Sequence, residues 1–207
     1  MRVAVLASGE GTNLQALLDR VHGRDGITVV AVASDKPAAP ALARARSAAV
    51  DASFFPVAEF GDREARDHAM AQWLADRGAE LIVLAGYMQL LSPEFLRRFD
   101  GRVINVHPAL LPAFPGLRAV EQALDYGVKV YGVTVHFVDE GIDTGPVILQ
   151  RAVEIPDARA PEEVRQRLQP IEHELLPEAV RLIASGAVRI DTGNPRPDSR
   201  SSARTAS

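Results

Sequence analysis

The 207-residue chain carries 23 Lys and Arg against 27 Asp and Glu, a net charge of −4, with 47% hydrophobic and 24% charged residues. That is globular composition for one sizeable domain, long enough to bury about 70% of its unfolded surface without a covalent or metal staple. Cysteine is absent, which excludes a disulfide framework, Cys-based zinc or iron–sulfur sites and a thiol nucleophile. The acidic balance argues against a clamp for long nucleic acid, which draws its affinity from neutralised phosphates. No apolar run reaches the roughly 20 residues a membrane helix needs, and no signal-peptide pattern follows Met1, so the expectation is a soluble, cytoplasmic protein.

Short apolar runs open the chain and recur: Val3 to Ala7, Ile27 to Ala33, Leu81 to Ala85 and Val103 to Val106. Continuous runs without strict alternation suit strands covered on both faces, as in a parallel sheet. Between them lie helical patterns. Leu14, Leu17 and Leu18 share a face over Asn13 to Val21, Ala41 to Ala49 is alanine-rich, and Asp62 to Arg77 opens with acids and stops before Gly78. Ser92-Pro93-Glu94 starts a short helix with Ser as N-cap and Pro at its first position. Alternation of strand and helix predicts an α/β fold, a single domain built on a mostly parallel doubly wound sheet.

After position 107 the character changes. Residues 108 to 118 hold three prolines and read as a long stiff loop. A helix near Val120 to Tyr126 follows, then two strands, Val130 to Val138 and Val147 to Val153, expected to pair antiparallel. A long helix from Pro161 to about Ala184 and a short strand at Val188 to Ile190 close a domain of residues 1–190. Residues 191–207 are rich in Ser, Arg and Pro with almost nothing apolar, and are expected to form a disordered tail.

Three segments hold the polar residues that chemistry would need. Ser8-Gly9-Glu10-Gly11-Thr12-Asn13 joins the first strand to the first helix. Glycines there permit close backbone approach, and the free N–H groups of a helix start favour phosphate; a plain tight turn fits as well. A dinucleotide fingerprint, with Asp35 as the ribose acid, fails at its third glycine, where Leu14 stands. In Val103-Ile104-Asn105-Val106-His107-Pro108, strand alternation puts Asn105 and His107 on one side at the carboxyl edge, where open α/β sheets bind ligands. An amide beside an imidazole can hold an oxyanion, or can simply close a strand on local backbone. Asp139-Glu140-Gly141-Ile142-Asp143-Thr144-Gly145-Pro146 either fixes one carboxylate or is a solvated turn. His136 either lines the same cavity or is a satisfied core histidine, and His22, His68 and His173 read as solvated surface. A metal site from His107, His136 and Asp143 is not identified by spacings this wide.

Taken together, Ser8 to Gln15, Asn105-Val106-His107-Pro108-Ala109-Leu110-Leu111-Pro112 and Val135-His136-Phe137-Val138-Asp139 through Asp143-Thr144-Gly145-Pro146 resemble the phosphoribosylglycinamide formyltransferases, folate-dependent enzymes of purine synthesis. The resemblance runs from Met1 to about Ile190. It implies a formyltransferase-type Rossmann-like fold and attack by the amine of glycinamide ribonucleotide on the formyl carbon of 10-formyltetrahydrofolate, with no metal, no nucleic acid and no membrane. It implies that Asn105 and protonated His107 hold the oxyanion, and that Asp143 orients and charges the imidazole and relays the amine proton. The phosphate contacts it implies are Gly11, Thr12 and Asn13, and the amine-side contacts Gln169 and Glu172. The folate contacts it implies are Arg63, Met88, Gln89, Leu90, Leu91, Asn105, Val138, Asp139, Glu140, Gly141, Ile142 and Asp143. Gln89 stands where relatives often carry Arg, and Ala109 where Ser is usual. Arg118 and Val120 stand where some relatives have histidines, Arg118 being able to supply phosphate charge. Monomer and homodimer both remain open.

Formyltetrahydrofolate hydrolases share the Asn, His and Asp set but carry an extra N-terminal domain, for which the early first strand is expected to leave no room. Methionyl-tRNA formyltransferases add a C-terminal domain and bind a polyanion, which an acidic chain does not favour. A catalytically silent binding module would not need the intact triad. Because the tail has so little to bury, truncation after Ile190 is expected to leave the melting temperature and activity nearly unchanged; a large drop in calorimetric Tm would show that the tail docks.

Overall fold

Residues 1–190 are described by a computed structural model; the tail predicted for 191–207 lies outside the described residues. Seven strands and six α-helices follow one another as β1 (Arg2–Leu6), α1 (Thr12–Arg20), β2 (Thr28–Ser34), α2 (Pro40–Ser47), β3 (Asp51–Phe54), α3 (Arg63–Asp76), β4 (Leu81–Leu84), α4 (Pro93–Arg98), β5 (Val103–His107), α5 (Ala119–Tyr126), β6 (Val130–Phe137), β7 (Val147–Glu154) and α6 (Pro161–Ala184). They build one sheet in the order β3-β2-β1-β4-β5-β6-β7. Strands β1 to β5 pair in parallel, and β6 and β7 add on antiparallel.

The apolar runs are continuous because both faces of the sheet are covered. Val3, Val5, Ile104 and Val106 face a core shared with α1, α2, α5 and α6. Ala4, Leu6, Ile82 and Val103 face the opposite core, filled by Met70 and Leu74 of α3, by Phe95 of α4 and by Phe99 just after it. Full burial of side chains of this size is worth about 1.5–3 kcal/mol each, which is what orders the layers. Helix boundaries follow the expected caps. Asp62 accepts from the Ala65 N–H at 2.8 Å at the start of α3, and Ser92 accepts from the Phe95 N–H at 3.2 Å at the start of α4.

Two element expectations are corrected. Asp51–Phe54 forms an edge strand that periodicity did not signal, since an Asp-Ala-Ser-Phe stretch on a half-exposed edge carries no buried run. Val188 to Ile190 adds no strand to the sheet: the chain leaves α6 through a turn at Gly186 and stays irregular. The late helix persists through Pro170 and Pro177, each of which removes one backbone donor.

The strand order places the site. Crossovers run outward from β1 toward β2 on one side and toward β4 on the other, so the loops leaving β1 and β4 diverge and open a crevice at their carboxyl ends. The register then lines up Ala33, Leu6, Leu84, Asn105 and His136 in one row across five strands.

Gly132 of β6 tests how tightly the late strands pack on the proline-rich loop. A Cβ there would sit 2.4 Å from Leu110 Cδ2 and 2.6 Å from the Arg151 carbonyl oxygen. Overpacking of this kind costs about 1–3 kcal/mol, and each kcal/mol moves Tm by about 2–4 °C at this size. Gly132→Ala is therefore expected to lower Tm by roughly 5 °C, with Gly9→Ala, which opens into free space, as the unchanged control. Differential scanning calorimetry of the two variants checks it.

Candidate active site

Asn105 and His107 leave β5 on the same side as Val103, as alternation requires, while Ile104 and Val106 enter the opposite core. The antiparallel partner sets His136 directly opposite Asn105, and Thr134 opposite His107. His136 is buried, and it belongs to the polar face of β6 rather than to the apolar one formed by Tyr131, Val133, Val135 and Phe137. Its Nδ1 meets the Phe137 carbonyl at 2.8 Å, leaving Nε2 to face the cluster.

Asp143 joins these residues. Oδ1 accepts from the Asn105 amide at 3.3 Å and lies 3.4 Å from His136 Nε2. Oδ2 accepts from the Gly116 N–H at 2.7 Å and lies 3.3 Å from His107 Nδ1. Burial alone would raise the pKa of this carboxyl group. The hydrogen bond from His136, the Gly116 amide and the charges of the two histidines outweigh it and hold the group at about 2. The loop is thus no solvated turn: it bends through a left-handed Asp143 (φ 52°) to deliver one carboxylate to four partners. Asp tolerates that backbone region better than most residues.

His107 is buried, with Nε2 2.9 Å from the Phe114 carbonyl. Both neighbours of the ring are acceptors, so the arrangement is satisfied in full only when both ring nitrogens carry hydrogen. The donors expected to face an oxyanion are therefore engaged internally: Asn105 Nδ2, which lies 3.2 Å from His136 Nε2, on Asp143, and His107 on Asp143 and Phe114. Thr134 supports this arrangement from below. Its hydroxyl donates to the Ala109 carbonyl at 2.7 Å and accepts from the Leu111 N–H at 3.1 Å, so Ala109 leaves the loop anchored without a side-chain hydroxyl. The two histidines converge on the one carboxylate of Asp143, and among the described residues no group of three or more His, Asp or Glu is disposed to hold a metal ion.

A second polar cluster stands at the start of α1. Gly11 adopts φ 71° and caps the helix without a side-chain bond. The glycine is needed for packing: a Cβ would sit 2.7 Å from that of Ala41 on α2. Asn13 Nδ2 donates to Glu172 Oε2 at 2.7 Å and Gln169 Nε2 donates to the Thr12 hydroxyl at 3.3 Å, so α6 is stitched to the helix start. Burial raises the pKa of Glu172, against the opposing hydrogen bond from Asn13. Asn13 Oδ1 is buried without a partner, an acceptor left open beside a carboxylate.

Between the two clusters runs the segment after β4. The Ser8 N–H donates to the Gly86 carbonyl at 3.1 Å, and the Ser8 hydroxyl accepts from the Met88 N–H at 2.9 Å. Met88 and Leu90 project outward, 55% and 61% exposed, and Ile142 is exposed on the Asp139–Asp143 loop. Glu140 and Gly141 are also exposed there, Val138 is tied by its N–H to the Val103 carbonyl at 2.9 Å, and Asp139 Oδ1 takes the Thr144 hydroxyl at 2.6 Å. Gln89 turns toward Asp35, donating to Oδ2 at 3.1 Å, which occupies the carboxylate once weighed as a ribose acid.

Two arginines weighed for ligand contacts have other surroundings. Arg63 begins α3 with its guanidinium on neighbouring Glu64, and makes no hydrogen bond or ion pair with the Asn105–His107–Asp143 group. Arg118 is exposed at the start of α5, with no hydrogen bond to the α1 turn. His22 is also corrected: Nδ1 accepts from the Val29 N–H at 3.0 Å, clipping the end of α1 to β2. His173 has a buried Nε2 and a pKa lowered by burial and by Arg20, so it is no solvated surface group. Sequence reading missed Ser8 as a link between loops, and the contributions of Phe114 and Gly116, which act through backbone atoms that no side-chain pattern reports.

Comparisons with known proteins agree with this geometry. The sequence model described as formyl transferase matches residues 1–180. The chain is 40% identical over 181 residues to the phosphoribosylglycinamide formyltransferase of Bacillus subtilis, covering 87% of this chain and 93% of that one. It is 42% identical over 190 residues to the trifunctional purine biosynthetic protein adenosine-3 of Bos taurus, covering 91% of this chain but spanning only 19% of that relative's length. In structure it is similar to glycinamide ribonucleotide transformylase 1 from Symbiobacterium toebii, with TM-score 0.89 and 48% identity over 93% of this chain and 91% of that one. Among the described residues no helix is long and apolar enough to cross a membrane.

The lowered pKa of Asp143 fixes a pH dependence. A carboxyl group near 3.9 when unfolded and about 2 when folded contributes stability that is present above about pH 4 and is lost as pH falls toward 2. The Tm difference between wild type and Asp143→Asn is therefore expected to hold above pH 4 and shrink between pH 4 and 2. Paired thermal melts across that range check it.

Proposed function

The chain belongs to the formyl transferase family and within it to the phosphoribosylglycinamide formyltransferases; we propose that it carries the formyl group of 10-formyltetrahydrofolate to the amine of glycinamide ribonucleotide in purine biosynthesis. The observation that carries this reading is the Asp143 carboxylate, held ionised between His107, His136 and Asn105 at the carboxyl edge of β5.

Neighbouring strands stand about 4.8 Å apart, so the ends of β1 and β5, with β4 between them, are roughly 10 Å from each other. That span suits a substrate with a phosphate at one end and a reacting amine at the other. The phosphate falls to the uncapped N–H groups at Gly11, Thr12 and Asn13, where the helix start is electropositive. Gln169 and Glu172 line the same side, Glu172 offering a carboxylate to a substrate donor. The folate falls to the Met88–Leu91 segment and the Val138–Asp143 loop, whose exposed Met88, Leu90 and Ile142 offer apolar surface to a flat ring.

The donor supplies an activated formyl carbon. As the amine nitrogen bonds to it, the formyl oxygen becomes an oxyanion, and Asn105 Nδ2 and the His107 ring N–H turn from their internal partners to hold it. The attacking nitrogen must lose a proton and the leaving N10 must gain one before the carbon–N10 bond breaks. Asp143 relays that proton, directly or through water. His136 keeps the carboxylate aligned through the transfer.

A spectrophotometric assay of 10-formyltetrahydrofolate consumption tests the reading: loss is expected only when glycinamide ribonucleotide is present. Hydrolysis independent of the amine, or no consumption, would overturn it. Asp143→Asn keeps the shape but removes the charge, and turnover is expected to fall roughly a hundredfold or more, with KM values changing far less. His107→Ala and Asn105→Ala are expected to fall on the same scale. Near-normal kcat in a folded variant would remove that residue from the mechanism.

A further inference from the structure

The charged pair Arg66 and Asp67, inside α3, is fully buried, which is rare for either residue type. Arg66 Nη2 lies 2.6 Å from Asp67 Oδ1, and Arg66 Nε donates to the same oxygen at 2.8 Å. The rest of the pair is aimed at one target. Arg66 Nη2 donates to the Leu90 carbonyl at 3.1 Å, and Asp67 Oδ2 accepts from the Ser92 N–H at 2.5 Å. Arg66 Nη1 reaches Gln89 Oε1 at 3.5 Å, and Gln89 passes the link on to Asp35. Leu91 is therefore clamped on both flanks by one ion pair, while Ser8 fastens the other end of the segment at Met88.

Burying two charges is not a means to stability, because the desolvation cost commonly cancels the attraction. A hydrophobic pair of the same volume would fill α3 equally well but would leave the carbonyl of residue 90 and the N–H of residue 92 without partners. We propose that Arg66 and Asp67 are positioning residues for the donor site, setting the backbone of Met88–Leu91 in the conformation that receives the folate; this rests on the reading that this segment binds the donor. Their fixed fork holds the segment's polar backbone in place while its apolar side chains Met88 and Leu90 stay outward. The pair touches no reacting atom and acts through the loop alone.

Steady-state kinetics on the full-length double variant Arg66→Met/Asp67→Leu test this, since removing both partners together avoids stranding a buried charge. The KM for 10-formyltetrahydrofolate is expected to rise about tenfold or more, with kcat and the KM for glycinamide ribonucleotide within about threefold of wild type. Unchanged donor KM in a folded variant, or an equal rise in both KM values, would overturn the proposal. Should the double variant fail to fold, Arg66→Lys keeps the charge but loses the fork, and a donor KM raised several-fold is expected; a wild-type value would overturn the proposal. Leu90→Ser separates the two layers of the argument. If it raises donor KM while the double variant does not, the clamp fails and the site reading stands. If Leu90→Ser leaves donor KM unchanged, the site reading fails and takes the clamp with it.

Discussion

The site depends on a single carboxylate whose two oxygens are shared among three segments. Asp143 reaches β5 through Asn105 and His107, β6 through His136, and the proline-rich loop through the Gly116 amide. β5 and β6 are already paired by their backbones, and Asp143 ties the side chains of both to the loop. Thr134 fixes the base of the loop on β6, but its far limb, from Phe114 to Gly116, meets the strands at the His107 ring and the Asp143 carboxylate. Burial opposes the charge and four donors sustain it, so the same group is a structural hub and, in the proposed reaction, the relay for a proton.

The parallel half of the sheet was legible because its physics is local. A strand buried on both faces must be apolar along its buried length: β4 is so throughout, and β1, β2 and β5 are so but for Arg2, Thr28, Ser34, Asn105 and His107. The edge strand β3 escaped notice because its burial is partial and its residues are ordinary turn and loop types. The expected strand at 188–190 had the composition of one but finds no neighbour to pair with, and β propensity without a partner decides nothing. In the site, the shared side of Asn105 and His107 followed from alternation alone, whereas the pairing of His136 with Asp143 needed the register of two distant strands.

Arg66 and Asp67 show the opposite failure. A run such as Arg63-Glu64-Ala65-Arg66-Asp67-His68 reads as a solvated helix face, yet two of its charges are fully buried. Nothing in the helical period marks them, because the groups that make burial tolerable, the Leu90 carbonyl and the Ser92 amide, belong to backbone more than twenty residues away. The same lesson holds for Gly11. Its sequence context suited a phosphate loop or a plain tight turn, and the structure shows that the missing Cβ makes room for Ala41. The glycine is thus required by the packing of α2 and, in the proposed reading, also admits the substrate phosphate.

The internal hydrogen bonds of the cleft have a bearing on discrimination in the proposed reaction. Asn105 and His107 already donate to a carboxylate and a carbonyl, so an incoming acceptor has to outcompete these partners rather than water. A neutral formyl oxygen is a weaker acceptor than an ionised carboxylate and gains little by displacing one, whereas an oxyanion is stronger than the Phe114 carbonyl. In the proposed reaction these contacts would form a threshold that the neutral reactant does not cross and the tetrahedral species does. Donors withheld until charge has formed would supply the differential affinity that speeds a reaction instead of merely tightening a complex.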